Sequence, residues 1–178
     1  MNSNKIAEIR ILAIAPCVQG IGFIVFNGPQ MPIDWGVKWT RDQKNTKGLA
    51  KIAELIDRYQ PEIVVLEDPN GEGSRRAKRI QDLLEAIASL VRRRKISVAR
   101  YSRAQVRHHF AGDGTATKYR IAKAIAQYLP DLAPRLPAER KIWLPEHANM
   151  SLFDAASLAL THFAAIAQEA GSDLQQAA

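Results

Sequence analysis

The sequence predicts an α/β protein, a mixed five-stranded sheet flanked by helices, and three observations predict it. Ile9 to Ala15 and Gly20 to Phe26 are short β-rich runs separated by a Pro-Cys-Val-Gln turn, the pattern of a hairpin. Ile33 to Thr40 alternates apolar and polar residues, as a half-exposed third strand does. Ile63 to Leu66 and Ile96 to Tyr101 are further strands, each reached through a stretch of helical periodicity. Three strands joined by hairpins and two by helical crossovers make a mixed sheet with helices on both faces.

Each remaining element has its own signal. Asp42 to Thr46 is a polar break, after which Leu49, Ile52, Ala53, Leu55 and Ile56 recur at helical spacing up to Pro61. The solid apolar run Ile63 to Leu66 fits a strand buried on both faces. Asn70 to Ser74 is a loop in which Ser74 is the expected cap of a long helix. That helix carries Ile80, Leu83, Leu84, Ile87 and Val91 on one stripe. Ser102 is placed to cap a helix through Phe110, Ala111 to Gly114 breaks it, and Thr117 to Tyr128 is helical again. Leu129 to Asn149 holds four of the nine prolines and reads as an irregular connection. The last helix runs from Ser151 to about Gln168. Residues 1–166 are expected to form one domain and 167–178 a disordered tail.

Bulk properties narrow the class. With 178 residues, 47% hydrophobic and 24% charged, the chain can bury one sizeable core. No apolar run reads as the roughly 20 residues needed to cross a bilayer, and the first eight residues lack a secretory h-region, so no membrane is expected. Cys17 is the single cysteine, read as a buried, inert thiol. With no disulfide to form, a cytoplasmic setting is the natural one. The net charge of +7 favours an anionic partner.

The chemistry-bearing residues are acidic and few. Two-metal phosphodiester hydrolysis needs carboxylates converging on two cations. Glu67 ends a strand expected beside the first strand, at the edge where open sheets place their sites. Asp68, its neighbour, should point to the opposite face. Asp154 lies in a helix that is apolar nearly all round, and a buried carboxylate needs a partner. Ser151, Asp154, Ser157 and Thr161 form one polar stripe, expected to face Glu67. The residues alone leave two readings of Asp154 open: an ion pair or backbone cap, and a metal ligand.

Several of these segments resemble one family. Arg10 to Phe26 (R-I-L-A-I-A-P-C-V-Q-G-I-G-F-I-V-F), the strand V-V-L-E-D ending in Glu67, and the helix segment D-A-A-S-L-A-L-T-H from Asp154 resemble the RuvC-type Holliday junction resolvases of the RNase H-like superfamily. So does Gly112 to Lys118, a G-x-G turn followed by an alanine and a lysine. The resemblance spans about Ile9 to Phe163. It implies the RNase H-like fold, with Glu67 and Asp154 as catalytic metal ligands for Mg2+ or Mn2+ and Lys118 on backbone phosphate. It further implies branched DNA as partner, a role in DNA recombination and repair, and a homodimer. In that family the first strand ends Asp-Pro-Gly, whereas here it ends Ala15-Pro16-Cys17. Ser151 also falls where the family has an Asp. Ala15 offers no oxygen, and the neutral hydroxyl of Ser151 is a poor Mg2+ ligand. A single inactivating substitution at Ala15 would not explain Cys17 and Ser151. Glu146 and Asp34 are candidate substitute ligands.

The basic residues cluster. Arg75, Arg76, Lys78 and Arg79 crowd the start of the long helix, where cations oppose the macrodipole and a phosphate backbone is the better explanation. Arg92 to Lys95 crowd its end, where the dipole favours cations, so a solvated terminus and a phosphate contact are equal readings there. Arg103 and Arg107 continue the footprint; His108 and His109 point apart and read as surface residues. His162 reads as a core histidine, and Trp143 as a packing residue more than a base-stacking one.

Three functions follow. The expected one is a RuvC-like nucleic-acid-binding protein acting on branched or structured DNA through a depleted metal site. The alternative is an active Mg2+- or Mn2+-dependent crossover-junction endodeoxyribonuclease. A sugar-kinase or actin-like nucleotide binder shares this core, but Ala15 and the chain length count against it.

Overall fold

The computed structural model describes residues 8–141 and 143–176. The N-terminal residues read above for a secretory signal lie largely outside them, as do Ile142 and the end of the expected tail. Among the described residues eleven elements follow in order: β1 (Arg10–Pro16), β2 (Gly20–Asn27), β3 (Pro32–Trp39), α1 (Lys44–Tyr59), β4 (Ile63–Glu67), α2 (Lys78–Arg93), β5 (Ser97–Tyr101), α3 (Arg103–Phe110), α4 (Lys118–Tyr128), a 3-10 helix (Pro130–Arg135) and α5 (Met150–Gln176). The sheet order is β3-β2-β1-β4-β5. β1 and β2 are antiparallel, as are β2 and β3, while β4 lies parallel to both β1 and β5.

Side-chain alternation along β1 divides the core into two layers. Ile11, Ala13 and Ala15 face α3, α4 and α5, together with Val65 of β4. Leu12 and Ile14 face α1 and α2, together with Val64 and Leu66. Both faces are covered, so β1 and β4 are apolar at consecutive positions and not only at alternate ones. α5 seats its first turn on β2: a β-carbon on Gly22 would meet the carbonyl carbon and oxygen of Ser151 at 2.1 Å. Only glycine allows two backbones this close.

Four expectations need correcting. α1 begins at Lys44, inside the expected polar break, because Asn45 and Arg79 hold its first turn: Asn45 Nδ2 donates to the Arg79 carbonyl and Arg79 Nη1 to Asn45 Oδ1, both at 3.1 Å. Ser74 does not cap α2, which begins at Lys78 after an extended stretch. The 74–77 stretch instead carries Arg76 toward Glu67, and Gln81 Nε2 holds its carbonyl at 2.9 Å. α5 continues to Gln176, so most of the expected tail is helical. That helix is also long and apolar enough to cross a membrane, contrary to the reading above, but 72% of its apolar window is buried inside the fold. A core helix packed against a sheet has the same composition as a spanning one.

Candidate nucleic-acid interface and acidic centre

The fold brings all four family positions to one place. Ala15 pairs with Gly22, and Gly22 carries the Ser151 backbone. Glu67 lies one residue beyond the Ile14–Leu66 pair of the β1–β4 register, level with Ala15 and on the same face. Asp154, one turn after Ser151, lines a cleft with Glu67.

Of these four positions two carry a carboxylate, Glu67 and Asp154. Ala15 is 1% exposed and sits in the apolar layer. Ser151 turns its hydroxyl away, donating to the Ala148 carbonyl at 2.7 Å. Ser157 and Thr161 do the same within α5, donating to the carbonyls of Asp154 and Ser157. The hydroxyls of the expected polar stripe are therefore satisfied by backbone carbonyls, and of the stripe Asp154 and Ser157 line the cleft, Asp154 bringing its only charge.

Both acids are held by cations. Arg76 Nε donates to Glu67 Oε1 at 3.0 Å and to Oε2 at 2.9 Å, and its Nη2 also reaches Oε2. Glu67 is buried, so this bidentate pair is what makes its position tolerable. Lys118 Nζ lies 2.8 Å from Asp154 Oδ2 and donates to Glu146 Oε1 at 2.7 Å. Arg103 bridges the two acids, with Nε 3.6 Å from Glu67 Oε1 and Nη2 3.8 Å from Asp154 Oδ2. Burial pulls the Arg76 guanidinium down, and its hydrogen bonds to Glu67 with the charges of Glu67, Asp154 and Glu146 more than reverse this, raising it above its ordinary value.

These residues do not fit a pair of divalent cations. Among the described residues no three His, Cys, Asp or Glu side chains converge. The cleft between Glu67 and Asp154 has a volume of about 30 Å³, room for roughly one or two waters. Of the substitute ligands, Glu146 comes near Asp154 only through Lys118, and Asp34, on β3, accepts from the Tyr59 hydroxyl. Asp68 stays out of the cleft and accepts from the Asn70 amide.

Beside the cleft opens a hollow of about 440 Å³ lined by Gly73, Arg75, Arg76, Arg103, Arg107 and Lys118. α3 supplies two of these from a rigid helix, because Ser102 and Gln105 form a full capping box at its start. Lys118 is the first residue of α4, fixed by Thr117 as cap. Gly114 makes the turn before it with φ +72°, a conformation that favours glycine. Arg75 and Arg107 are exposed, and among the described residues neither makes an ion pair. Arg79 is not part of this surface; it donates to the Cys17 carbonyl at 3.2 Å and pins the β1–β2 turn. Arg76 is there, but committed to Glu67.

The histidine readings hold: His108 and His109 are exposed, and His162 is buried with its Nδ1 2.8 Å from the Tyr101 hydroxyl. Two other readings do not. Trp143 is 77% exposed and packs into no core, and Cys17 is half-buried in its turn. The sequence reading missed the bridging place of Arg103 between the two acids; the one signal for it was that a buried Asp154 required a cation.

No family model matches the chain, and no curated protein matches it in sequence. Solved structures do match in fold. A Thermus thermophilus RuvC structure aligns with TM-score 0.65 at 23% identity, covering 90% of this chain and 97% of that one. T. thermophilus RuvC in complex with Holliday junction substrate aligns with TM-score 0.63 at 20% identity, covering 86% and 92%. The yeast mitochondrial Holliday junction resolvase Ydc2 aligns with TM-score 0.62 at 13% identity, covering 96% and 85%. The sheet order and flanking helices are thus those of the RNase H-like α/β fold. Within that class its architecture is that of the RuvC-type Holliday junction resolvases.

Proposed function

We propose that this protein is a RuvC-like nucleic-acid-binding protein that acts on branched DNA through a nuclease fold with a depleted metal site. One observation carries the proposal: the two remaining acids, Glu67 and Asp154, are partnered by Arg76, Arg103 and Lys118, while Ala15 and Ser151 contribute no anionic oxygen. Two-metal hydrolysis depends on carboxylates free to bind cations. The basic hollow beside these acids supports the binding half of the reading, since phosphate neutralisation by Arg and Lys supplies most sequence-independent affinity. A homodimer, implied by the resemblance, would offer two such surfaces to one junction; light scattering reads that directly.

The test is a panel of four-way junction, flap, linear duplex, single-stranded DNA and RNA, incubated in Mg2+ and in Mn2+ beside the Glu67→Gln variant. Junction binding without cleavage is the expected result. Cleavage that disappears in Glu67→Gln would establish the other reading, an active crossover-junction endonuclease. Equal affinity for every nucleic acid would remove branched DNA as the specific partner.

A further inference from the structure

The cations around Glu67 and Asp154 do more than neutralise them. Arg76, Arg103 and Lys118 each face an acid on one side and line the basic hollow on the other. Glu67 fixes Arg76 in a two-point fork, and Asp154 with Glu146 fixes the Lys118 ammonium. Side chains held this way lose little freedom on meeting a ligand, which is what preorganisation contributes to binding. Arginine forks match the geometry of phosphate oxygens. The hollow they line has five cationic side chains and a glycine, and no acid.

Building on the proposed function, we propose that the acidic centre at Glu67 and Asp154 is a metal-free phosphodiester clamp. Arg103 and Lys118 grip a backbone phosphate directly, Arg76 backs them from its fork on Glu67, and Arg75 and Arg107 form the rim through which the strand enters. Glu67 and Asp154 are positioning residues that aim the cations. A phosphodiester, with one negative charge and two unbridged oxygens, is the ligand class this suits. Arg103 is the central contact, because its distances of 3.6 and 3.8 Å to the two acids leave its guanidinium without a close hydrogen bond to either.

A clamp and a metal site predict opposite signs for one substitution. Asp154→Asn keeps an acceptor for Lys118 but removes a negative charge that competes with phosphate. In a metal site this change weakens metal-supported binding; in a clamp it tightens DNA. The experiment measures four-way junction and linear duplex affinity of the full chain at matched ionic strength, in EDTA and in Mg2+, for the wild type, Asp154→Asn, Arg103→Met and the fold-neutral surface variant Arg107→Gln. We expect equal affinity in EDTA and Mg2+, tightening of roughly threefold or more in Asp154→Asn, and loss of about tenfold in Arg103→Met. Arg107→Gln should weaken binding even if the buried variants fail to fold. Affinity that needs Mg2+, weakening in a folded Asp154→Asn, or no loss in Arg107→Gln and Arg103→Met would overturn the clamp. Metal-free, Asp154→Asn-tightened binding with no preference for the junction over duplex would overturn only the branched-DNA reading. No binding to either DNA would overturn both.

Discussion

Arg76 lies across the Glu67 carboxylate, its Nε within 3.0 Å of both oxygens, and this pair closes the edge of the sheet where β4 ends. Glu67 is 5% exposed. Removing Arg76 leaves a buried charge with only Arg103 nearby, a loss that typically costs about 3–5 kcal/mol. Removing both charges leaves nothing uncompensated. Arg76→Met should therefore be strongly destabilising, and Arg76→Met with Glu67→Leu markedly less so. Urea denaturation of the two singles and the double gives the coupling energy; additive losses would show that the pair does not hold the edge.

Gly22 makes a second structural demand. A β-carbon there would meet Ser151 backbone, not a movable side chain, so α5 must shift to admit it. Gly22→Ala should destabilise by about 3 kcal/mol or more. Gly112→Ala meets nothing within 4 Å and should change stability by no more than about 0.5 kcal/mol. A Gly22→Ala protein as stable as the wild type would show that the close approach of β2 and α5 is absent.

The fold was legible because its signals are local. Ile63 to Leu66, the alternation in β3 and the stripe on α2 each declare their element within a few residues. Both acids were legible for the same reason: Glu67 and Asp154 interrupt apolar elements, where a carboxylate stands out. The cations that hold them were not. Arg75, Arg76 and Arg79 look alike in sequence, yet one is exposed, one is spent on Glu67 and one pins the β1–β2 turn. Partners brought together only by the sheet leave no spacing to read. Trp143 misled for the opposite reason, since an aromatic in a proline-rich connection carries no sign of which way it faces.

Surface charge gives a third prediction. Arg75 and Arg107 are exposed, without an ion pair among the described residues, and on the rim of the basic hollow. Taking away one cation that touches phosphate should flatten the plot of log affinity against log salt by about 1. Arg75→Gln with Arg107→Gln should flatten it by about 2, with thermal stability unchanged. Arg79→Gln should instead lower stability and leave the slope alone. A slope unaffected by the double substitution would remove the rim from the DNA footprint.

The last prediction concerns pH. His162 is buried against Tyr101, and among the described residues its Nε2 has no hydrogen-bond partner. Burial lowers its pKa below the ordinary 6.5, with the charge of Glu169 pulling weakly the other way. The unfolded chain thus takes up a proton at this residue at higher pH than the folded one. Stability is fully present above about 6.5 and is lost as pH falls through that value toward the folded pKa. His109, also lowered by burial, acts with the same sign, though its exposed position makes it the smaller contributor. The lowered carboxyls of Glu85 and Asp113 act in the same direction only as pH falls below their ordinary values of 4.5 and 3.8. The two windows are separate, so a denaturation series between pH 7.5 and about 5 isolates the histidines. His162→Gln should remove most of that slope. A wild-type stability flat across the window, or a slope that survives in His162→Gln, would mean that His162 accepts its proton in the folded state as readily as in the unfolded one.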